Sequence, residues 1–176
     1  MRRLITMMLA LTLLAALPAM AAEVKMGYVD LQKALNLSEA GKSAKESIQK
    51  KVKEHEGTID ARQKELKKLK EELEKQAILL SDEARGAKER DYQQKLKDFQ
   101  RYAKDIQEEL QQKDADFTRQ ILEELFKVIK EIGEKEGYTM IFEQSESSLL
   151  YADNKSDLTD KVIKAYDAKT RKGNGK

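Results

Sequence analysis

The sequence predicts an α+β fold that is mostly α: a long antiparallel helical coiled-coil hairpin projecting from a small β body formed by oligomerisation. Three observations predict it. Charged residues make up 38% and aromatics 6%, with no Trp, a composition of long solvated helices rather than of a thick globule. The single proline is Pro18, so no residue beyond it breaks a helix by lacking an amide. Two apolar stripes of coiled-coil spacing flank a helix-start signal at Ser81 and Asp82. A length of 176 residues allows about one domain, so a multi-domain enzyme is not expected.

Residues 1–21 read as a cleaved signal peptide. Met1, Arg2 and Arg3 precede an apolar stretch from Leu4 to Leu17, followed by Pro18 and the small-residue pattern Ala19-Met20-Ala21. The apolar run is shorter than the roughly 20 residues that span a bilayer. Loss of Arg2 and Arg3 leaves 32 basic and 32 acidic residues, so the mature chain is neutral and works outside the cytoplasm, away from ATP.

Residues 22–37 and 133–168 are assigned to the body, and 38–132 to the arm. The body opens with a short run of strand formers, Val24 to Asp30. The first stripe of the arm then runs through Ala44, Ile48, Val52, Ile59, Leu66, Leu69, Leu73, Ala77 and Leu80. His55, Arg62 and Gln76 fill its missing steps as polar interruptions. The chain turns back near 80–82, where Ser81 or Asp82 caps a new helix. The second stripe runs through Tyr92, Leu96, Phe99, Ala103, Ile106, Leu110, Phe117, Ile121, Leu125, Val128 and Ile132, with Lys113 as its polar step. Folded about Ser81, the two arms match in length at about 50 residues or ~75 Å each. One continuous rod is the competing arrangement, and it leaves the internal cap without a purpose.

Gly137 stops the second helix and introduces a strand from Tyr138 to Glu143. A third strand, Leu149 to Ala152, is expected after a polar turn. Ser156 or Asp157 then caps a short helix with Leu158, Val162, Ile163 and Tyr166 on its apolar side. The tail, 169–176, is expected to be disordered. Three short strands and one short helix leave sheet edges unpaired and too little apolar area for a closed core, which calls for symmetric self-association. The residues expected to serve it are Met26, Tyr28, Val29, Met140, Phe142, Leu149, Leu150 and Tyr151.

Motifs for chemistry are weak. Gly41-Lys42-Ser43 matches the end of a P-loop, but Asn36 stands where the first glycine belongs and the segment is helical. Without cysteine, and with His55 as the lone histidine, neither a zinc site nor a thiol nucleophile is expected. No catalytic, metal or cofactor-binding residue is assigned, so a non-enzyme without cofactor is expected. From Lys42 to Lys70 ten basic residues face five acidic, and from Asp105 to Asp116 one basic faces five acidic; these stretches oppose each other across the hairpin. Ile78, Leu79, Tyr102 and Leu122 are apolar residues off the seam. Extra packing explains them, and the functional alternative is a surface for apolar client segments.

With these pieces in order, the chain resembles the Skp (OmpH) family of periplasmic chaperones. The resemblance rests on Met26 to Ala34, Leu80 to Arg85, Tyr138 to Gln144, Leu150 to Asp153 and Asp157 to Ile163. It implies a homotrimer with a β-barrel body and three arms enclosing a cavity, which holds unfolded outer-membrane proteins in the periplasm without ATP. Family members are often markedly basic, so the neutral charge here implies only weak contact with anionic lipid or lipopolysaccharide. No nucleic-acid partner is expected. The alternatives are a structural coiled-coil envelope protein, or a lipid- or lipopolysaccharide-binding protein.

Overall fold

In a computed structural model, residues 24–76 and 79–173 are described. The expected signal peptide, Ala77 and Ile78 lie outside them. The elements in chain order are β1 (Met26–Val29), α1 (Leu31–Leu37), α2 (Glu39–Gln76), α3 (Asp82–Glu136), β2 (Met140–Glu143), a 3₁₀ turn (Asn154–Ser156) and α4 (Thr159–Gly173).

The helical hairpin is present, formed by α2 and α3. Ser81 takes extended backbone and its Oγ accepts the Ala84 N–H at 3.3 Å, with Asp82 and Glu83 in the positive first turn. Gly137 ends α3 in the left-handed region at φ 70°, where a side chain would be strained. The two arms are not one helix each. α3 is continuous over 55 residues, but its partner is split at Ser38 into a 7-residue α1 and a 38-residue α2. The antiparallel register is carried by ion pairs across the hairpin, Lys88 to Glu72 at 3.1 Å and Lys95 to Glu65 at 2.7 Å.

The core lies at the body end. Ile121, Leu125, Val128 and Ile132 of α3 pack with Val29 of β1, Ala34 of α1, and Leu158, Val162 and Tyr166 at and within α4. These match the apolar sides read from the sequence. Along the arm the seam is shallow, since two helices alone cover only one stripe of each other; Leu66 is the buried residue of α2. Val52, assigned to the seam, is 46% exposed, while its neighbour Lys51 is half-buried.

Among the described residues the sheet has two strands, β1 and β2, which are parallel with Met26 opposite Met140 and Tyr28 opposite Phe142. The expected strand from Leu149 to Ala152 does not form. Ser148 turns the chain through the left-handed region at φ 52°. The second edge of β1 is already taken by Asp157, and by the Leu158 N–H donating to the Tyr28 carbonyl at 2.9 Å. The segment therefore cannot pair with β1 inside one protomer, and it does not reach the outer edge of β2. The expected disordered tail is also corrected: α4 continues to Gly173. Lys169 reaches Glu131 at 2.6 Å and Arg171 grips Glu39, so residues 169–173 are anchored. Residues 174–176 lie outside the described ones.

Candidate functional site

Two surfaces carry the apolar groups left uncovered. The first is one face of the small sheet. Side chains alternate along a strand, so Met26, Tyr28, Met140 and Phe142 share a face. Met26 and Met140 are about half exposed and Phe142 is 39% exposed. Beside them Leu150 is 99% and Tyr151 85% exposed. Of the residues expected to serve self-association, Met26, Met140, Phe142, Leu150 and Tyr151 are open to a partner and Leu149 is half-buried. Tyr28 and Val29 instead belong to the buried interior of the protomer.

The second surface is the arm. Leu79 at the tip is 85% exposed, and its amide donates to the Gln76 carbonyl in the turn. Tyr102 and Leu122 are placed differently from a free client surface. The Tyr102 hydroxyl lies 3.1 Å from His55 Nδ1, and its ring lies beneath the Arg62 guanidinium at 4.3 Å. His55 is thus the polar seam residue its position implied. Its Nε2 is buried without a hydrogen-bond partner, and Glu109 Oε2 stays at 3.9 Å. Leu122 packs against the body core. Phe126, 54% exposed on α3, is an open apolar group the stripe did not reveal, because it follows Leu125 and falls off the three-four spacing.

Many of the arm's charges are paired with each other. Within helices Lys51 meets Glu54, Arg101 meets Asp98 and Lys127 meets Glu124; hydrogen bonds to those carboxylates hold the Lys51 and Lys127 amines above the usual lysine range. Lys95 is raised likewise by its bond to Glu65 across the hairpin. Among the described residues no group of three or more His, Asp or Glu is placed to hold a metal, and no helix is long and apolar enough to cross a membrane. Gly41-Lys42-Ser43 lies inside α2 rather than on a strand-to-helix loop, so its amides do not form a phosphate cradle.

Comparison with known proteins points one way. The family model for outer membrane protein (OmpH-like) matches residues 25–166. A Skp-like protein of Pseudomonas aeruginosa is 26% identical over 163 residues, 93% of this chain and 96% of that protein. An uncharacterized protein of Aquifex aeolicus is 27% identical over 139 residues, 79% of this chain and 83% of its own length. The crystal structure of an OmpH-like outer membrane chaperone candidate from Caulobacter crescentus shares the fold, with a TM-score of 0.71 at 17% identity, covering 82% of this chain and 84% of that one.

Proposed function

The chain belongs to the OmpH-like outer membrane protein family, and from that premise we propose that it is an ATP-independent periplasmic holdase, without catalytic activity, for unfolded outer-membrane proteins. Membership over residues 25–166 carries the reading. The geometry supports it: the hairpin has a shallow seam, and its open apolar groups are scattered as Val52, Leu79 and Phe126 rather than gathered in one pocket. Such a surface makes weak contacts with many sequences. Several arms around one client sum those contacts into retention, while each exchanges quickly enough for release without nucleotide.

The body supplies the several arms. Its exposed sheet face and the extended segment Leu149–Tyr151 complete one another between copies, the segment pairing along the outer edge of a neighbouring β2, which has no strand partner among the described residues. A homotrimer closes this arrangement. Anionic lipid or lipopolysaccharide contributes little, since the chain beyond the expected signal peptide is neutral, its 34 basic residues less Arg2 and Arg3 matching 32 acidic ones.

The experiment is to dilute a denatured outer-membrane barrel from urea into the purified mature chain, with light scattering and molar mass recorded together. Scattering is expected to fall to baseline at a stoichiometric ratio, and to stay low in raised salt. Unchanged aggregation at excess chaperone overturns the reading; suppression lost steeply with salt favours the lipopolysaccharide-type alternative.

A further inference from the structure

The hairpin stands on two legs of unequal grip. α3 drives four large apolar residues into the body core, whereas α2 brings only Ala40 and Ala44 against it. The first turns of α2 are flanked by clefts of about 370 and 430 Å³, to both of which Ala44, Phe117 and Ile121 contribute. Small side chains beside open clefts bury little apolar area, so this leg is held weakly by the hydrophobic effect.

Polar contacts hold it instead. Ser38, fully buried, stops α1 and starts α2, its Oγ accepting the Gly41 N–H at 3.1 Å. Asp167 Oδ1, from α4, accepts the Glu39 N–H at 2.9 Å, so a side chain 128 residues away caps the helix. Arg171 donates from Nε at 2.9 Å to the Glu39 carboxylate, with Nη2 as a second donor. α4 is tied in turn to α1 through Asp160 and Lys33 at 3.0 Å, and to α3 through Lys161–Glu136 at 2.7 Å and Lys169–Glu131 at 2.6 Å.

We infer that α4 is a strap: Asp167 and Arg171 hold Glu39 across the bend at Ser38, and the arm bends at its root when they let go. With the strap closed both helices of the hairpin are rooted, and bending must deform one of them. With it open, α2 loses an N-terminal bond and its ion pair, and the hairpin pivots on α3 alone. Solvent-facing ion pairs are individually weak and screened by salt, which suits a joint that opens and closes. This device acts on arm direction whether or not the arm holds a client.

The test is a charge swap in the mature chain: Glu39→Arg, Arg171→Glu, and both together. Hydrogen exchange across residues 39–46 is expected to rise about fivefold in each single variant, and to return to within about twofold of the parent in the double. Exchange in the outer arm should not move. Because the sequence has no cysteine, spin labels at Gln93→Cys and Lys155→Cys report the arm-to-body distance, whose distribution is expected to widen in the singles and narrow again in the double. Arg171→Gln, which deletes the charge without repulsion, should act in the same direction more mildly. Exchange and distance unchanged in the singles, or a double as loose as they are, overturns the proposal.

Discussion

Gly41 and Gly57 both interrupt α2, yet substitution is expected to act in opposite directions at the two sites. A Cβ at Gly41 would lie 1.7 Å from the Leu35 carbonyl oxygen, because α1 ends against the first turn of α2. Gly41→Ala must force the two helices apart, at a cost of ~1–3 kcal/mol. Gly57 has nothing within 4 Å of a built Cβ, so Gly57→Ala should add ~0.5–1 kcal/mol by removing backbone freedom from the unfolded chain. Urea denaturation of both variants checks the pair: the midpoint should fall for the first and rise for the second. The same residue explains the P-loop-like string in the sequence, since the glycine at Gly41 answers to a neighbouring carbonyl rather than to a phosphate. His55 was readable as a seam residue from spacing alone. Its partners were not, since a periodic pattern gives the face of a helix but not which of Tyr102, Arg62 or Glu109 meets it across the gap.

Among the elements, helix ends were written in short-range chemistry and therefore could be read: the Ser81 cap, the Gly137 stop and the apolar side of α4 all stand where the residues put them. The break at Ser38 carries the same kind of local cap, Ser38 Oγ to the Gly41 N–H, and was passed over; its other support, the α4 side chain of Asp167, lies outside any local window. Strand pairing failed for the related reason that Leu149–Ala152 has strand formers but the second edge of β1 is taken by Asp157, a contact no local window shows. The end of α4 was misread as a tail because its charge and low hydropathy resemble disorder; ion pairs to Glu131 and Glu39 supply the order. The pairs made by Glu39 and Glu136 predict an acid response. Hydrogen bonds from Arg171 and Lys161 hold the Glu39 and Glu136 carboxyls below the ordinary carboxylate range. A carboxyl lowered in the folded state adds stability above its unfolded value of about 4.3, and that contribution is lost as pH falls through the lower folded value. The urea midpoint should therefore be flat between about pH 5 and 8 and fall below pH 4. Arg171→Gln should flatten part of the acid slope; an identical slope would show that the Glu39 pair contributes nothing to it.

At the scale of the whole molecule, one protomer leaves apolar surface uncovered. A two-stranded parallel sheet with Met26, Met140 and Phe142 on its open face is rare in isolation, since parallel sheets are normally covered on both sides. Leu150 and Tyr151 stand almost wholly in solvent a few residues from it. Covering each such side chain is worth ~1.5–3 kcal/mol, so removing two per protomer from a symmetric ring, in which every interface repeats the loss, should dissociate it. Leu150→Ser with Tyr151→Ser is accordingly expected to shift the sedimenting species from the three protomers proposed above to one at micromolar concentration, with far-UV helicity unchanged because both side chains stand in solvent. Holding should collapse alongside assembly: the arm of a monomer still carries Leu79, Val52 and Phe126, but without neighbours their weak contacts no longer sum. The complementary variant Leu79→Ser should do the reverse, leaving the trimer intact and weakening holding by the contribution of one tip contact per arm. If the Leu150 and Tyr151 variant stays trimeric, the sheet face and not the extended segment carries assembly, and Phe142→Asp becomes the change expected to break it. If the monomer suppresses aggregation as well as the parent does, the client is held by single arms and the cavity between arms has no part in retention.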